Sequence, residues 1–126
     1  MVRILDLEKY AKENNIPIMQ KDGIDFMCEY IKKNNIKNIL EVGAAIGYSA
    51  IRMASISNDI KVTTIERDEK RYKEAVKNIE SFNLEQQINI IFNDAFDVEL
   101  NEQYDLIFID ATIQNHKQDV DSLSVF

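Results

Sequence analysis

The stretch of sequence that decides the fold covers residues 39–49 and reads Ile-Leu-Glu-Val-Gly-Ala-Ala-Ile-Gly-Tyr-Ser. An apolar segment typical of a strand leads directly into two glycines, Gly43 and Gly47, and a helical pattern follows. Glycine lets the backbone turn sharply and approach a ligand closely, and the start of a helix offers unpaired N–H groups to an anion. This stretch therefore predicts a strand, a turn and a helix that together hold a nucleotide-like cofactor.

The composition limits the classes of protein to which the chain can belong. Its 126 residues allow one domain at most, and 45% hydrophobic with 29% charged residues is ordinary for a soluble globular protein. No apolar run approaches the ~18 residues that cross a bilayer, so we expect no membrane partner. Cys28 is the single cysteine and falls on the apolar stripe of a helical pattern. We therefore expect it in the core, in a protein of the reducing cytoplasm.

The charge of the chain is uneven along its length. The formal net charge of −7 argues against broad electrostatic binding of nucleic acid. Residues 1–40 carry seven Lys/Arg and six Asp/Glu, whereas residues 41–126 carry eight and sixteen. A polyanionic partner would therefore meet the N-terminal segment.

Hydrophobic periodicity predicts two N-terminal helices, followed by strands that alternate with helices. The expected N-caps include Asp22 and Asp68. Because strand–helix alternation is typical of a parallel, doubly wound sheet, we expect an α/β fold. The predicted helices cover residues 3–14, 22–34, 47–57 and 68–82, and the predicted strands cover residues 38–42, 60–65, 87–92 and 104–109.

Four carboxylates close or follow the predicted strands: Glu41, Glu66, Asp94 and Asp110. Ligands of open parallel sheets bind outside the carboxyl ends of the strands. Glu66 can accept hydrogen bonds from both hydroxyls of a ribose, a feature common to dinucleotide and adenosyl cofactors. The joint placement favours a ligand site over four unrelated loop carboxylates.

The glycine spacing distinguishes between these cofactors. Dinucleotide-binding folds carry the motif Gly-x-Gly-x-x-Gly, whose middle glycine lets the pyrophosphate approach the backbone. In this chain Ala45 occupies the position of that middle glycine. Glu41 would also repel a pyrophosphate, whereas it could accept a hydrogen bond from an ammonium group. A nicotinamide-dependent oxidoreductase is therefore disfavoured, and a cofactor with an amino acid end is favoured.

The residues that carry this site resemble the successive motifs of class I S-adenosylmethionine-dependent methyltransferases. The ending Gly47-Tyr48-Ser49 is similar to the metal-dependent O-methyltransferases related to catechol and caffeoyl-CoA methyltransferases. The N-terminal segment 11–23 resembles the bacterial branch that methylates 5-hydroxyuridine at the tRNA wobble position, giving 5-methoxyuridine. The matching motifs are Glu-Val-Gly-Ala-Ala-Ile-Gly-Tyr-Ser (41–49), Thr-Ile-Glu-Arg (64–67), Asn-Asp-Ala (93–95) and Tyr-Asp-Leu-Ile-Phe-Ile-Asp-Ala (104–111).

The resemblance implies S-adenosylmethionine and Mg²⁺ as cofactors and assigns a role to individual residues. Ser49 would hydrogen-bond the methionine carboxylate, Glu66 would hold the ribose, and Asp94 with Ala95 would flank the adenine. Asp110 would lie near the methyl-bearing sulfur and serve as a ligand of Mg²⁺. The full set of implied cofactor-binding residues is Met19, Glu41, Gly43, Gly47, Tyr48, Ser49, Glu66, Arg67, Asp94, Ala95 and Asp110.

The implied architecture is a Rossmann-like class I methyltransferase fold with a parallel, doubly wound sheet of strand order 3-2-1-4 and two N-terminal helices. We divide the chain into an N-terminal helical segment (1–36), an S-adenosylmethionine-binding core (37–111) and an atypical polar tail (112–126). Family members continue beyond this point with an Asp-Asn pair that completes the metal site. We therefore expect a C-terminally truncated chain that is inactive by itself. We expect a homodimer, and we expect the edge strand to be covered by another chain or by the tail, or else poor solubility.

The favoured function is Mg²⁺-assisted methyl transfer from S-adenosylmethionine to 5-hydroxyuridine in tRNA. Two alternatives stay open. The first is the same chemistry on a small catechol-like phenol, and the second is an inactive fragment that binds the cofactor without catalysis.

Overall fold

The computed structural model describes residues 3–94 and 103–109. Within these residues, parallel strands form one sheet in the order β3-β2-β1-β4. The predicted α/β class, the parallel pairing and the strand order are all confirmed. The strands are β1 (Asn38–Val42), β2 (Lys61–Glu66), β3 (Ile88–Phe92) and β4 (Leu106–Ile109).

The central position of β1 follows from its composition and its pairing. Residues Ile39 to Val42 are buried, as expected for a strand that is covered on both faces and paired on both edges. At the start of β1, the Asp105 carboxylate accepts the backbone N–H groups of Lys37 and Asn38 at 2.8 and 3.0 Å. These two bonds lower the pKa of Asp105 and attach β4 to β1 at one end.

Two helices connect consecutive strands, and two precede the sheet: α1 (Ile4–Glu13), α2 (Lys21–Lys33), α3 (Tyr48–Ala54) and α4 (Glu69–Ser81). The Asp68 carboxylate accepts the N–H of Arg71 at 2.8 Å, which confirms Asp68 as the N-cap of α4. The prediction of Asp22 as an N-cap is wrong, because α2 begins at Lys21 and its N-cap is Gln20. Asp22 instead lies in the first turn, where a carboxylate is favoured by the helix dipole.

The hydrophobic core lies between the sheet and the helices, and α3 is its most enclosed element. Every residue of α3 except Arg52 is buried, because strands β2 and β3 and helices α1 and α2 all contact this helix. Cys28 of α2 is 7% exposed, and burial raises the pKa of its thiol, in agreement with the predicted core position. Among residues 3–94 and 103–109, no helix has the length and apolar character that crossing a bilayer requires.

Candidate cofactor site

The turn between β1 and α3 has the backbone conformation that its glycines predict. Gly43 has a φ of 95° and Gly47 a φ of 88°, values of the left-handed region that disfavour side chains. Ala45 lies in the same region with a φ of 50°, although it carries a Cβ. The N–H groups of Gly43 and Ala44 donate to the Ile65 carbonyl at 2.8 and 3.2 Å, so the turn begins against β2.

Glu66, the last residue of β2, stands beside this turn. Its Oε1 accepts the backbone N–H of Ala45 at 2.8 Å, and its Oε2 accepts the N–H of Asp68 at 3.0 Å. Burial raises the pKa of the Glu66 carboxyl, and the two backbone bonds partly oppose that effect. The arrangement fixes a half-buried carboxylate at the carboxyl end of the sheet.

Arg67 and Asp94 lie next to Glu66, as the sequence predicts. The Arg67 Nη1 and the Asp94 Oδ2 are 3.3 Å apart, and each side chain is about a third exposed. The backbone N–H of Asn93 donates to the Glu66 carbonyl at 3.0 Å, which brings the end of β3 beside the end of β2. Three of the predicted site residues are therefore neighbours at one edge of the sheet.

Glu41 lies inside the fold. It is 0% exposed, and its Oε1 accepts the Thr64 hydroxyl at 2.7 Å from the neighbouring strand. In the described structure its carboxylate faces β2 from within the core, so a direct contact with a ligand's ammonium group stays a prediction.

Tyr48 follows Gly47, but its side chain is directed toward the N-terminal helices. It is 1% exposed, its hydroxyl donates to the Glu8 carboxylate of α1, and it accepts a bond from Arg52 at 3.1 Å. Arg52 also pairs with Asp25 of α2. Burial first, and then the Glu8 bond, raise the pKa of Tyr48 to about 12. Sequence reasoning missed this role, because the partner that accepts the hydrogen bond of the hydroxyl, Glu8, lies 40 residues away in the chain.

The remaining predicted residues differ in how far the structure describes them. Ser49 is 2% exposed in the first turn of α3. Met19 folds onto the first turn of α2, where its terminal methyl lies 3.2 Å from the position that a Cβ on Gly23 would occupy. Ala95 and Asp110 lie outside the described residues. Within the described part of the chain, no cluster of three or more His, Cys, Asp or Glu could hold a metal ion.

The parallel sheet, the glycine turn and the carboxylate at the end of β2 define a Rossmann-like α/β fold, a class in which ligands bind outside the carboxyl ends of the strands. Comparison with family profiles then matches residues 2–122 to the O-methyltransferase family. The chain belongs to this family.

Solved structures and a curated relative agree with this membership. A Staphylococcus aureus protein, provisionally described as a caffeoyl-CoA O-methyltransferase, is 41% identical with a TM-score of 0.81, over 86% of this chain and 53% of that one. An O-methyltransferase from Bacillus cereus, solved in complex with SAH, is 29% identical with a TM-score of 0.77, over 96% and 60% of the two chains. A catechol O-methyltransferase from Niastella koreensis is 40% identical over 82 residues, which cover 60% of this chain and 37% of that protein. The chain thus spans about half the length of the relatives that it matches.

Proposed function

We propose that the protein is an S-adenosylmethionine-dependent O-methyltransferase that methylates 5-hydroxyuridine in tRNA, in the cytoplasm. The observation that carries this proposal is the Glu66 carboxylate, held beside the glycine turn with one backbone N–H on each oxygen. Family membership supports methyl transfer to an oxygen. The Bacillus cereus protein, whose structure contains SAH, supports the choice of cofactor.

The residues of the site suit an adenosyl cofactor. A carboxylate offers about four acceptor positions, so Glu66 keeps acceptor capacity for two ribose hydroxyls beside the N–H groups of Ala45 and Asp68. Hydrogen bonds to an ionised acceptor are the stronger kind. Gly43 and Gly47 hold left-handed backbone conformations in this turn, which residues that carry a Cβ rarely adopt.

The protein's own residues bind and orient the reactants. Bound S-adenosylmethionine supplies an activated methyl group on its sulfonium. Glu66 holds the ribose end of the molecule and, by the resemblance, Ser49 holds the methionine carboxylate. With both ends of the cofactor fixed, its methyl group would face the substrate oxygen in one orientation. This fixed orientation would supply most of the rate enhancement.

Mg²⁺ belongs to the proposal through the resemblance, with Asp110 as its ligand in this chain. The described residues do not include Asp110. When bound, Mg²⁺ lowers the pKa of a hydroxyl that it contacts.

The N-terminal part of the chain supports tRNA as the substrate. Residues 11–23 resemble the branch that methylates tRNA, and residues 1–40 have a net charge of +1 while residues 41–126 have −8. Exposed Lys32 and Lys33 in the last turn of α2 offer contacts to phosphates.

A second candidate substrate is a small catechol-like phenol. The relative from Niastella koreensis is named a catechol O-methyltransferase, and relatives from plants are named caffeoyl-CoA O-methyltransferases. These names support the same transfer chemistry on a phenolic hydroxyl.

One set of experiments tests the cofactor and the substrate. Calorimetry should show SAH binding in preference to NAD, and tighter binding of NAD would contradict the methyltransferase proposal. In the chain extended to the length of its relatives, radiolabelled S-adenosylmethionine should then label hypomodified tRNA, with EDTA abolishing the reaction and excess Mg²⁺ restoring it, whereas the 126-residue chain should give no turnover. Labelling of catechol without labelling of tRNA would favour the second candidate.

We also propose that the protein is a homodimer. Phe26 is 72% exposed and Tyr30 is 44% exposed, one turn apart on α2, and exposed aromatic residues are enriched in protein interfaces. Sedimentation equilibrium should give twice the mass of the chain, and Phe26→Ser should shift the equilibrium toward the monomer. A monomer at every concentration would contradict this proposal.

A further inference from the structure

A side chain of α4 contacts the turn of residues 43–47 at the residue next to the one that Glu66 holds. The Asn78 Nδ2 donates to the carbonyl oxygen of Ile46 at 2.8 Å. Ile46 is 0% exposed, so its carbonyl belongs to a buried residue of the turn. The residue before it, Ala45, donates its N–H to Glu66 at 2.8 Å. Two adjacent residues of the turn are therefore held by β2 and by α4.

The held segment has a conformation that its sequence does not favour. Ala45 has a φ of 50°, and the left-handed region is unfavourable for a residue that carries a Cβ. Such a conformation persists where the surrounding structure determines it. The hydrogen bonds to the N–H of Ala45 and to the carbonyl of Ile46 hold this conformation in place.

The other contacts of α4 place the helix directly behind the turn. A Cβ on Gly47 would lie 3.5 Å from the Cα, Cβ and carbonyl oxygen of Ala75. Ala75 precedes Asn78 by one turn of α4. The small side chain of Ala75 lets the backbone at Gly47 come close to the helix, and the Asn78 amide reaches the carbonyl of Ile46.

We propose that Asn78 is a positioning residue for the cofactor, because its amide keeps the turn of residues 43–47 in the conformation beside Glu66. The inference rests on the proposed function for the identity of the ligand. Asn78 would act through the turn and would not need to touch the cofactor. Its loss would let Ala45 leave the left-handed region, and the cofactor would then have to restore that conformation on binding.

Two substitutions at Asn78 and one matched control test the proposal. Asn78 is half-buried and lines a groove of about 410 Å³ between α1 and α4. Asn78→Asp keeps the shape of the side chain and replaces the donor with an oxygen. Asn78→Ala removes the donor without adding charge. Ser81→Ala is the matched control, because Ser81 lines the same groove but donates to Lys77 of its own helix at 3.0 Å.

Two measurements on the whole protein decide the matter. Hydrogen–deuterium exchange without ligand should become faster in the peptide that covers residues 43–47 in both Asn78 variants, while Ser81→Ala leaves it unchanged. Calorimetry with SAH should show about fivefold weaker binding by the Asn78 variants, because the loss of one typical hydrogen bond changes an equilibrium constant by about this factor.

Three results would overturn the proposal: unchanged exchange of the turn in both Asn78 variants, the same change in Ser81→Ala, or faster exchange with unaltered SAH affinity. If the unsubstituted protein failed to bind SAH, the proposed function would fall. The exchange measurement would still report whether Asn78 holds the turn, because it needs no ligand.

Discussion

The Glu66 carboxylate holds the glycine turn and, in the proposed function, would also bind the cofactor. Its two oxygens already accept the N–H groups of Ala45 and Asp68, so its position is fixed before any cofactor arrives. A preorganised acceptor needs little reordering on binding, which favours affinity. The same preorganisation makes this residue the most sensitive single position of the proposed site.

We expect Glu66→Ala to weaken SAH binding by about tenfold or more. The substitution removes two charge-assisted hydrogen bonds to the ribose, each worth roughly 1.5–3 kcal/mol, and frees the Ala45 end of the turn. Titration calorimetry measures the effect. Glu69→Ala in the exposed first turn of α4 is the control. A change under about threefold would remove Glu66 from the site.

The raised pKa of Glu66 predicts a dependence of binding on pH. Burial raises this pKa above the ordinary value of 4.5, so the carboxylate is protonated at a higher pH than an exposed glutamate. SAH affinity should therefore fall as the pH is lowered from about 7.5 to about 5, because protonation removes the acceptor's charge. In Glu66→Gln the affinity should be weak and flat over this range. A parallel decline in both proteins would assign the effect to another group.

The same titration affects folding stability in the opposite direction, because the contribution of Glu66 to stability falls as the pH rises. Because the folded state has the higher pKa, it binds the proton more tightly than the unfolded chain. The contribution of Glu66 to stability is thus fully present below the ordinary value of 4.5 and is lost as the pH rises through the folded pKa. The ionised form that suits the cofactor is the form that burial disfavours.

At the scale of elements, the side chain of Gln87, just before β3, contacts the end of α3 and the loop that leads to β2. Its Nε2 lies within hydrogen-bond distance of the carbonyls of Ala54, Ser57 and Ile60, at 2.9, 2.8 and 3.0 Å, so its two hydrogens are shared among three acceptors. These carbonyls belong to the C-terminus of α3 and the loop that follows it, where helices leave acceptors without internal partners. One side chain at the start of β3 therefore shapes the connection from α3 to β2.

We expect Gln87→Ala to lower the free energy of unfolding by about 2 kcal/mol, because part-buried carbonyls lose their donor. The neighbouring Gln86 is exposed, so Gln86→Ala should change stability by less than about 0.5 kcal/mol. Urea denaturation of both variants gives the comparison. Equal effects of the two substitutions would contradict the role assigned to Gln87.

Local patterns predict the elements of this fold well, and long-range contacts explain what they miss. The family resemblance implies the strand order, whereas the alternation of strands and helices and the Asp68 cap follow from periodicity and capping preferences between residues close in sequence. The roles of Tyr48, Gln87 and Asn78 do not, because each side chain bonds to a partner far away in the chain. In the candidate site, the proximity of Glu66 to Asp94 is predictable from the parallel sheet. The full burial of Glu41 is not, since it depends on how the turn closes over the strand ends.

At the scale of the whole molecule, the separation of charge predicts how tRNA would bind. The predominantly acidic part of the chain, residues 41–126, repels a polyanion, so phosphate contacts would come from the N-terminal segment. Exposed Lys33 ends α2 in that segment, whereas exposed Lys70 lies in the acidic part on α4. The two lysines form a matched pair for a test.

We expect tRNA affinity to fall steeply with salt, by about tenfold or more between about 50 and about 200 mM. Lys33→Gln should weaken tRNA binding and reduce the slope of log K against log salt by about 1, whereas Lys70→Gln should leave both unchanged. Filter binding at several salt concentrations measures these slopes. Affinity independent of salt would argue for a small phenolic substrate instead.

The hydrogen bond between Tyr48 and Glu8 has a consequence for dissecting the protein into fragments. This bond links α1 to the residue that follows Gly47. Arg52, which donates to the Tyr48 hydroxyl, also pairs with Asp25 and so links α2 to the same site. A recombinant piece that began at residue 37 would carry the whole glycine turn, yet it would expose the enclosed face of α3 to solvent. Cloning boundaries for a minimal cofactor-binding unit therefore belong before Ile4, where α1 begins.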